Sequence, residues 1–190
     1  MTLRQASCAL LVLLACGSKD GIDSGLPAGK TGDELMPAEQ QTLCDAAGEY
    51  LDAHISPAEW TGYLCTLESF GEGEATDTAG LIAACKEARQ ACIAAGEQEE
   101  LGTVCNDVDD WTMCDATVGE IEACLEGAID LLGGIIRDFT CDALDPAKAM
   151  ALQEKYGDSF EDPFPPSCDV VKAKCPAVLG QGDSGEPEPI

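Results

Sequence analysis

Ten cysteines spread over the central part of the chain are the residues best placed to do chemistry. The chain of 190 residues has 12 cysteines and a single histidine, and no two cysteines have the C-x-x-C spacing of a metal or redox site. An even set of cysteines with 5% aromatic residues instead predicts disulfides that stabilise a small core in an oxidising compartment. The ten are Cys44, Cys65, Cys85, Cys92, Cys105, Cys114, Cys124, Cys141, Cys168 and Cys175.

The spacing of these cysteines excludes some pairings. Cys85 and Cys92 lie in a segment with helical periodicity, and seven residues of helix separate them by about 10.5 Å, too far for a disulfide. They must therefore bond different partners. The same reasoning separates Cys168 from Cys175 if that segment is helical, and the sequence leaves the other connectivities open.

A short acidic stretch between Cys105 and Cys114 is the candidate metal site. Its sequence is Asn106-Asp107-Val108-Asp109-Asp110, and such oxygen ligands suit Ca²⁺, although the glycine and the distal glutamate of an EF-hand loop are absent. We expect a solvated acidic loop and no cofactor. The alternative interpretation is a calcium site formed by Asp107, Asp109 and Asp110.

No set of residues in the sequence has the pattern of a catalytic centre. His54 could act as a general base for the nearby Ser56. However, it falls at the predicted end of the first helix, where the exposed carbonyl groups favour a structural imidazolium. We therefore expect a protein without enzymatic activity.

The first 15 residues have the pattern of a signal peptide. Arg4 and the α-amino group precede an apolar run from Ala6 to Ala15. This run is too short for a membrane-spanning helix, which needs about 20 residues, but it suits an export signal that is later removed. The sequence therefore predicts an exported protein.

The residues at the end of this signal resemble a lipid attachment site. Leu13-Leu14-Ala15-Cys16 is similar to the lipobox of bacterial lipoproteins, with a leucine three places before the cysteine and a small residue directly before it. The resemblance implies that Cys16 becomes the acylated N-terminus, and that Gly17 and Ser18 direct it to the outer membrane of a Gram-negative cell. Several acyl chains give stable anchoring. The alternative is an ordinary cleaved signal peptide.

The charge of the chain excludes one class of partner. Its 36 acidic and 10 basic residues give a formal net charge of −26 at pH 7. Such a charge repels nucleic acid phosphates and anionic lipid head groups. We expect no nucleic-acid partner, and contact with the membrane only through the lipid on Cys16.

Composition divides the mature chain into three parts. Residues 16–37 combine glycines and prolines without apolar periodicity, which predicts a lipid-anchored flexible tether, and residues 180–190 predict a disordered acidic tail. Residues 38–179 between them are enough for one disulfide-stapled domain.

Helical periodicity runs through most of that domain. Apolar residues recur at spacings of three and four over residues 38–53, 79–95 and 121–135, with weaker signals over 145–156 and 168–174. Ser56 to Glu59 and Thr117 to Glu120 have the form of capping boxes, which predicts helices that begin directly after Ser56 and Thr117. The Gly133-Gly134 pair is a point where the main helix could kink or end. We predict an all-α, small disulfide-rich helical bundle.

These features together predict a membrane-anchored lipoprotein that displays a non-enzymatic binding or structural module, facing the periplasm or the cell surface. Its general form is similar to Cys-rich lipoproteins of Gram-negative bacteria, a resemblance that implies no particular activity or protein partner. The alternative is a secreted hydrolase or calcium-dependent binding protein with an acidic site.

Overall fold

The computed structural model describes residues 21–70, 77–96, 111, 113–161 and 164–175, and the side chains of residues 158–161 are not among those described. Within these ranges the chain forms α-helices and short 3-10 helices and contains no strand, which confirms the predicted all-α class. The helices are α1 (Pro37–His54), α2 (Pro57–Ser69), α3 (Thr78–Ala95), α4 (Val118–Asp138), α5 (Pro146–Glu161) and α6 (Asp169–Lys174). The 3-10 helices are Gly32–Glu34, Cys141–Leu144 and Pro166–Cys168.

Both predicted capping boxes are present and fix where α2 and α4 begin. The Ser56 hydroxyl accepts from the Glu59 amide at 3.2 Å, while the Glu59 carboxylate accepts from the Ser56 amide at 2.8 Å. Thr117 and Glu120 exchange the same two bonds at 3.3 and 2.8 Å. Each box satisfies two amide groups that the first turn of a helix leaves without partners.

The glycine pair does not end α4. The helix continues through Gly133 and Gly134 to Asp138, although two glycines lower helix propensity by about 1 kcal/mol each. A Cβ atom on Gly134 would lie 3.0 Å from the hydroxyl of Tyr156 in α5. Glycine at this position therefore lets the aromatic side chain of α5 pack closely against α4.

The hydrophobic core consists of two clusters of buried side chains that meet along α4. Leu125 of α4 packs against both of them. The first cluster comprises Leu35, Leu43, Trp111, Cys114, Ala116, Val118, Ile121, Cys124, Cys168, Val171 and Cys175. The second comprises Ile22, Ala47, Tyr50, Leu51, Ile55, Ile129 and Ile136. Helix α4 is thus the central element of the domain.

Residues 21–36, the described part of the segment predicted as a tether, are packed on the domain. Ile22 and Leu35 are buried, one in each core cluster. The Gly32 amide donates to the Ala116 carbonyl at 2.9 Å, and the Val118 amide donates to the Lys30 carbonyl at 2.8 Å. Burial of apolar side chains and backbone pairing outweigh the conformational freedom that the glycine-rich composition suggests.

Four disulfides join the described elements. Cys65–Cys92 links α2 to α3, Cys85–Cys141 links α3 to the second 3-10 helix, and Cys124–Cys168 links α4 to the third. Cys114–Cys175 joins the residues before α4 to the end of α6. The predicted separation of Cys85 from Cys92, and of Cys168 from Cys175, is confirmed. Cys44 is also disulfide-bonded, to a partner outside the described residues.

Candidate functional site

A cleft opens where the C-terminal end of α4 meets α2 and α5. Phe70 ends α2 and Phe139 ends α4, and their rings stack with centroids 4.9 Å apart. The cavity beside them measures about 370 Å³. Its walls include the side chains of Phe70, Ile135, Phe139, Ala143, Leu152 and Tyr156. We call this cavity the α4–α5 groove, and its apolar walls are of the kind that contact the body of a small ligand.

A second cavity adjoins the groove and has a different chemistry. It measures about 260 Å³ and shares Ala143 and Leu152 with the groove. Its remaining walls are mostly polar, with Asp138, Thr140, Asp142, Ala151, Lys148 and Lys155. We call it the polar pocket. The two cavities together form one amphipathic cleft.

Two aspartates in the polar pocket are neutralised by lysines. Asp138 accepts from Lys155 Nζ at 2.6 Å and from the Tyr156 hydroxyl at 2.7 Å. These hydrogen bonds lower the pKa of Asp138, and the bond that Lys155 donates to Asp138 raises the pKa of Lys155, so both groups are charged at neutral pH. Asp142 lies 2.8 Å from Lys86 Nζ. Lys148 makes no ion pair within the described residues, and its amide group donates to the Asp145 carboxylate at 3.2 Å.

Basic side chains gather at this end of an acidic protein. Eight lysines and arginines fall within the described ranges, and five of them lie around the cleft. These five basic residues are Lys86, Arg89, Arg137, Lys148 and Lys155. Arg89 donates from its Nε to the Gly62 carbonyl at 3.1 Å and to the Thr66 hydroxyl at 3.0 Å. The local potential is therefore more positive than the net charge of −26 suggests.

The walls of the cleft are held by covalent and capping interactions. The buried Cys85–Cys141 disulfide fixes the start of the 3-10 helix to α3. Asp145 begins α5 by accepting from the amide groups of Ala147 and Lys148 at 2.9 and 3.2 Å. Both interactions restrict motion of the elements that carry the lining side chains, so the cleft is largely preformed.

Several candidates from the sequence lie elsewhere. Cys16 and the calcium candidates Asp107, Asp109 and Asp110 fall outside the described residues. His54 ends α1 as predicted and stacks on Tyr50 at 3.8 Å, with Nδ1 2.8 Å from the Tyr50 carbonyl. Ser56 donates to Glu59 at 2.6 Å rather than to His54. In the described ranges no group of three or more His, Cys, Asp or Glu residues could hold a metal ion.

Comparisons with known protein families, with curated proteins and with solved structures find no match for this chain. The assignment of the cleft therefore depends on its own geometry. Among the helices of the described residues, none is long and apolar enough to cross a membrane.

The sequence did not single out the residues of the cleft. Phe70, Phe139 and Leu152 come from three separate elements, and none is part of a motif. The one local signal is the stripe of Ala149, Leu152 and Tyr156 on α5, which has the spacing of an amphipathic helix. Because such a stripe usually indicates core packing, it does not by itself point to a binding site.

Asp138 makes the stability of the domain depend on pH. Its pKa in the folded state lies below the ordinary value of 3.8, chiefly because Lys155 donates to the carboxylate. The stabilisation is therefore present above pH 3.8 and is lost as the pH falls through the folded pKa. We expect Asp138→Asn to lower the free energy of unfolding by more at pH 7 than at pH 2.

Urea denaturation of both proteins at the two pH values measures this difference. Glu154→Gln, which removes an exposed carboxylate of α5, is the matched control and should leave the wild-type pH dependence unchanged. An Asp138→Asn protein with a pH dependence as steep as that of the wild type would contradict the assignment.

Proposed function

We propose that this protein is an exported, lipid-anchored binding module whose domain is stabilised by disulfides and has no enzymatic activity. The cleft beside α4 and α5 would be its ligand site. The resemblance of Leu13-Leu14-Ala15-Cys16 to a lipobox supports the anchor. The disulfides support an oxidising compartment, since such bonds are rare in reducing ones.

The observation that carries the binding role is the pairing of an apolar groove with a pocket lined by two lysines and two aspartates. Small-molecule sites combine mostly apolar walls with a few placed polar groups. In the cleft the two aspartates are each engaged by a lysine, at 2.6 and 2.8 Å. Asp138 is poorly suited to accept a proton from a substrate, because the hydrogen bond from Lys155 lowers its pKa. The arrangement therefore favours binding over hydrolysis.

The intact mass of the protein, extracted in detergent without reduction, tests the anchor and the disulfides together. We expect the mass of residues 16–190 plus acyl groups and minus ten hydrogens. Ten hydrogens correspond to five disulfides, of which four are described. A non-reducing peptide map identifies the cysteines that form the fifth.

Cys16→Ala provides the control for the anchor. This variant should lack the acyl mass and leave the membrane fraction, while its disulfides remain intact. A wild-type protein with a free thiol at Cys16, or one that stays soluble, would overturn the lipoprotein assignment. Reduced cysteines in the domain would contradict the proposal that the protein is exported to an oxidising compartment.

A further inference from the structure

The cleft contains the features needed to select one class of ligand. We propose that it binds a single-chain aliphatic carboxylate, with the hydrocarbon chain in the α4–α5 groove and the carboxylate beside Lys148 in the polar pocket. This inference rests on the proposed function as a binding module, and it names the ligand of that module.

The groove accounts for the hydrocarbon part of the ligand. Phe70, Phe139 and Leu152 offer aromatic and aliphatic surface, and each of them is only partly buried by the rest of the protein. When an alkyl chain covers this surface, the apolar area of both the groove and the chain is removed from water. This removal is the main driving force for binding of this kind. A sugar or a nucleotide would lose hydration on these walls without gaining polar partners.

The polar pocket accounts for the carboxylate. Asp138 and Asp142 are each paired with a lysine at 2.6 and 2.8 Å. Lys148 is the lysine of the pocket lining that has no ion pair within the described residues, and its amino group can pair with a ligand. Thr140 lines the same pocket and supplies a hydroxyl group. Charge-assisted hydrogen bonds from a lysine to a carboxylate are stronger than neutral ones. The pocket therefore prefers an anionic head group to a neutral or cationic one.

The size of the groove limits the ligand to one chain. Its volume of about 370 Å³ lies near the lower end of the 300–1,000 Å³ that ligand sites span. The polar pocket meets the groove at Ala143 and Leu152, so head group and chain occupy adjoining spaces. A two-chain phospholipid would leave much of its hydrocarbon outside the cavity.

Calorimetric titration of decanoate tests the proposal. The protein used is the full mature chain with Cys16→Ser, exported so that its disulfides form, because this form needs no detergent. We expect saturable binding of one decanoate per chain below the concentration at which decanoate forms micelles. Decanol should bind at least tenfold more weakly, and decylammonium should bind more weakly still.

Two pairs of variants locate the ligand. Leu152→Gln should weaken decanoate binding at least tenfold. Met150→Gln, which changes a side chain 72% exposed on the same helix and outside the groove lining, should leave binding unchanged.

Lys148→Gln should weaken the binding of decanoate about tenfold and leave the binding of decanol unchanged. Lys30→Gln removes a lysine that pairs with Glu39 at 2.6 Å, away from the cleft, and serves as its control.

Three results would overturn the proposal. The first is no saturable binding of decanoate, and the second is equal binding of decanoate and decylammonium. The third is decanoate binding that neither Leu152→Gln nor Lys148→Gln weakens. Circular dichroism of each variant excludes unfolding as the cause of lost binding. Failure of the lipid anchor is a separate result, because the Cys16→Ser protein is titrated without one and the intact mass measures the anchor.

Discussion

Replacement of Cys124 and Cys168 by alanine is expected to lower the free energy of unfolding by about 4 kcal/mol, as chain entropy predicts for a loop of this length. The bridge joins residues 44 apart and fastens the third 3-10 helix to α4. Both cysteines are buried in the first core cluster. Loss of the bond therefore frees the C-terminal part of the unfolded chain and also leaves space in the core.

Guanidinium denaturation of the double variant, with the other disulfides intact, measures this effect. Cys65→Ala with Cys92→Ala is the comparison, because that bridge closes a shorter loop of 27 residues and Cys92 is only partly buried. We expect a smaller loss for the comparison pair. Unchanged stability of the Cys124→Ala, Cys168→Ala protein would show that this bridge does not stabilise the domain through the unfolded chain or the core.

Leu35→Ala is expected to cost about 3 kcal/mol of stability, within the range for removal of a buried leucine side chain. Leu35 is 5% exposed and packs in the first core cluster, although it lies in a segment whose composition predicts a tether. The substitution leaves a cavity where the N-terminal segment meets the core. Its effect therefore measures how firmly that segment is docked.

The adjacent Met36 offers a matched control, since its side chain is 61% exposed. Met36→Ala should change the free energy of unfolding by less than about 0.5 kcal/mol, as surface substitutions usually do. Urea denaturation of both variants gives the comparison. Equal, small effects at the two positions would mean that the segment does not contribute to the core in solution.

Local patterns in the sequence were sufficient to predict the helices. The capping residues Ser56 and Thr117 fix the starts of α2 and α4 because they act on amide groups only three residues away. The apolar stripe of α4 places Ile121 and Ile129 in the core through helical periodicity alone. Helical spacing was also enough to exclude a Cys85–Cys92 bond.

Features that depend on residues distant in sequence could not be predicted. The apolar residues of the N-terminal segment, Ile22 and Leu35, show no period, and only contact with α1 and α4 explains their burial. The partners of the disulfides are separated by 27 to 61 residues, and nothing local selects them. Likewise Phe70 and Phe139 meet only because the fold brings the ends of α2 and α4 together.

The docked N-terminal segment sets how far the domain could stand from a membrane. Six residue steps separate Cys16 from Ile22, the first buried side chain described. Fully extended, they span roughly 20 Å, much less than residues 16–37 would span as a free chain. In a chain acylated at Cys16, the domain is thus confined to a shallow layer directly above the lipid head groups. Any ligand or partner of such an acylated chain must reach the domain there, because the residues from Ile22 onward are docked and do not extend its reach.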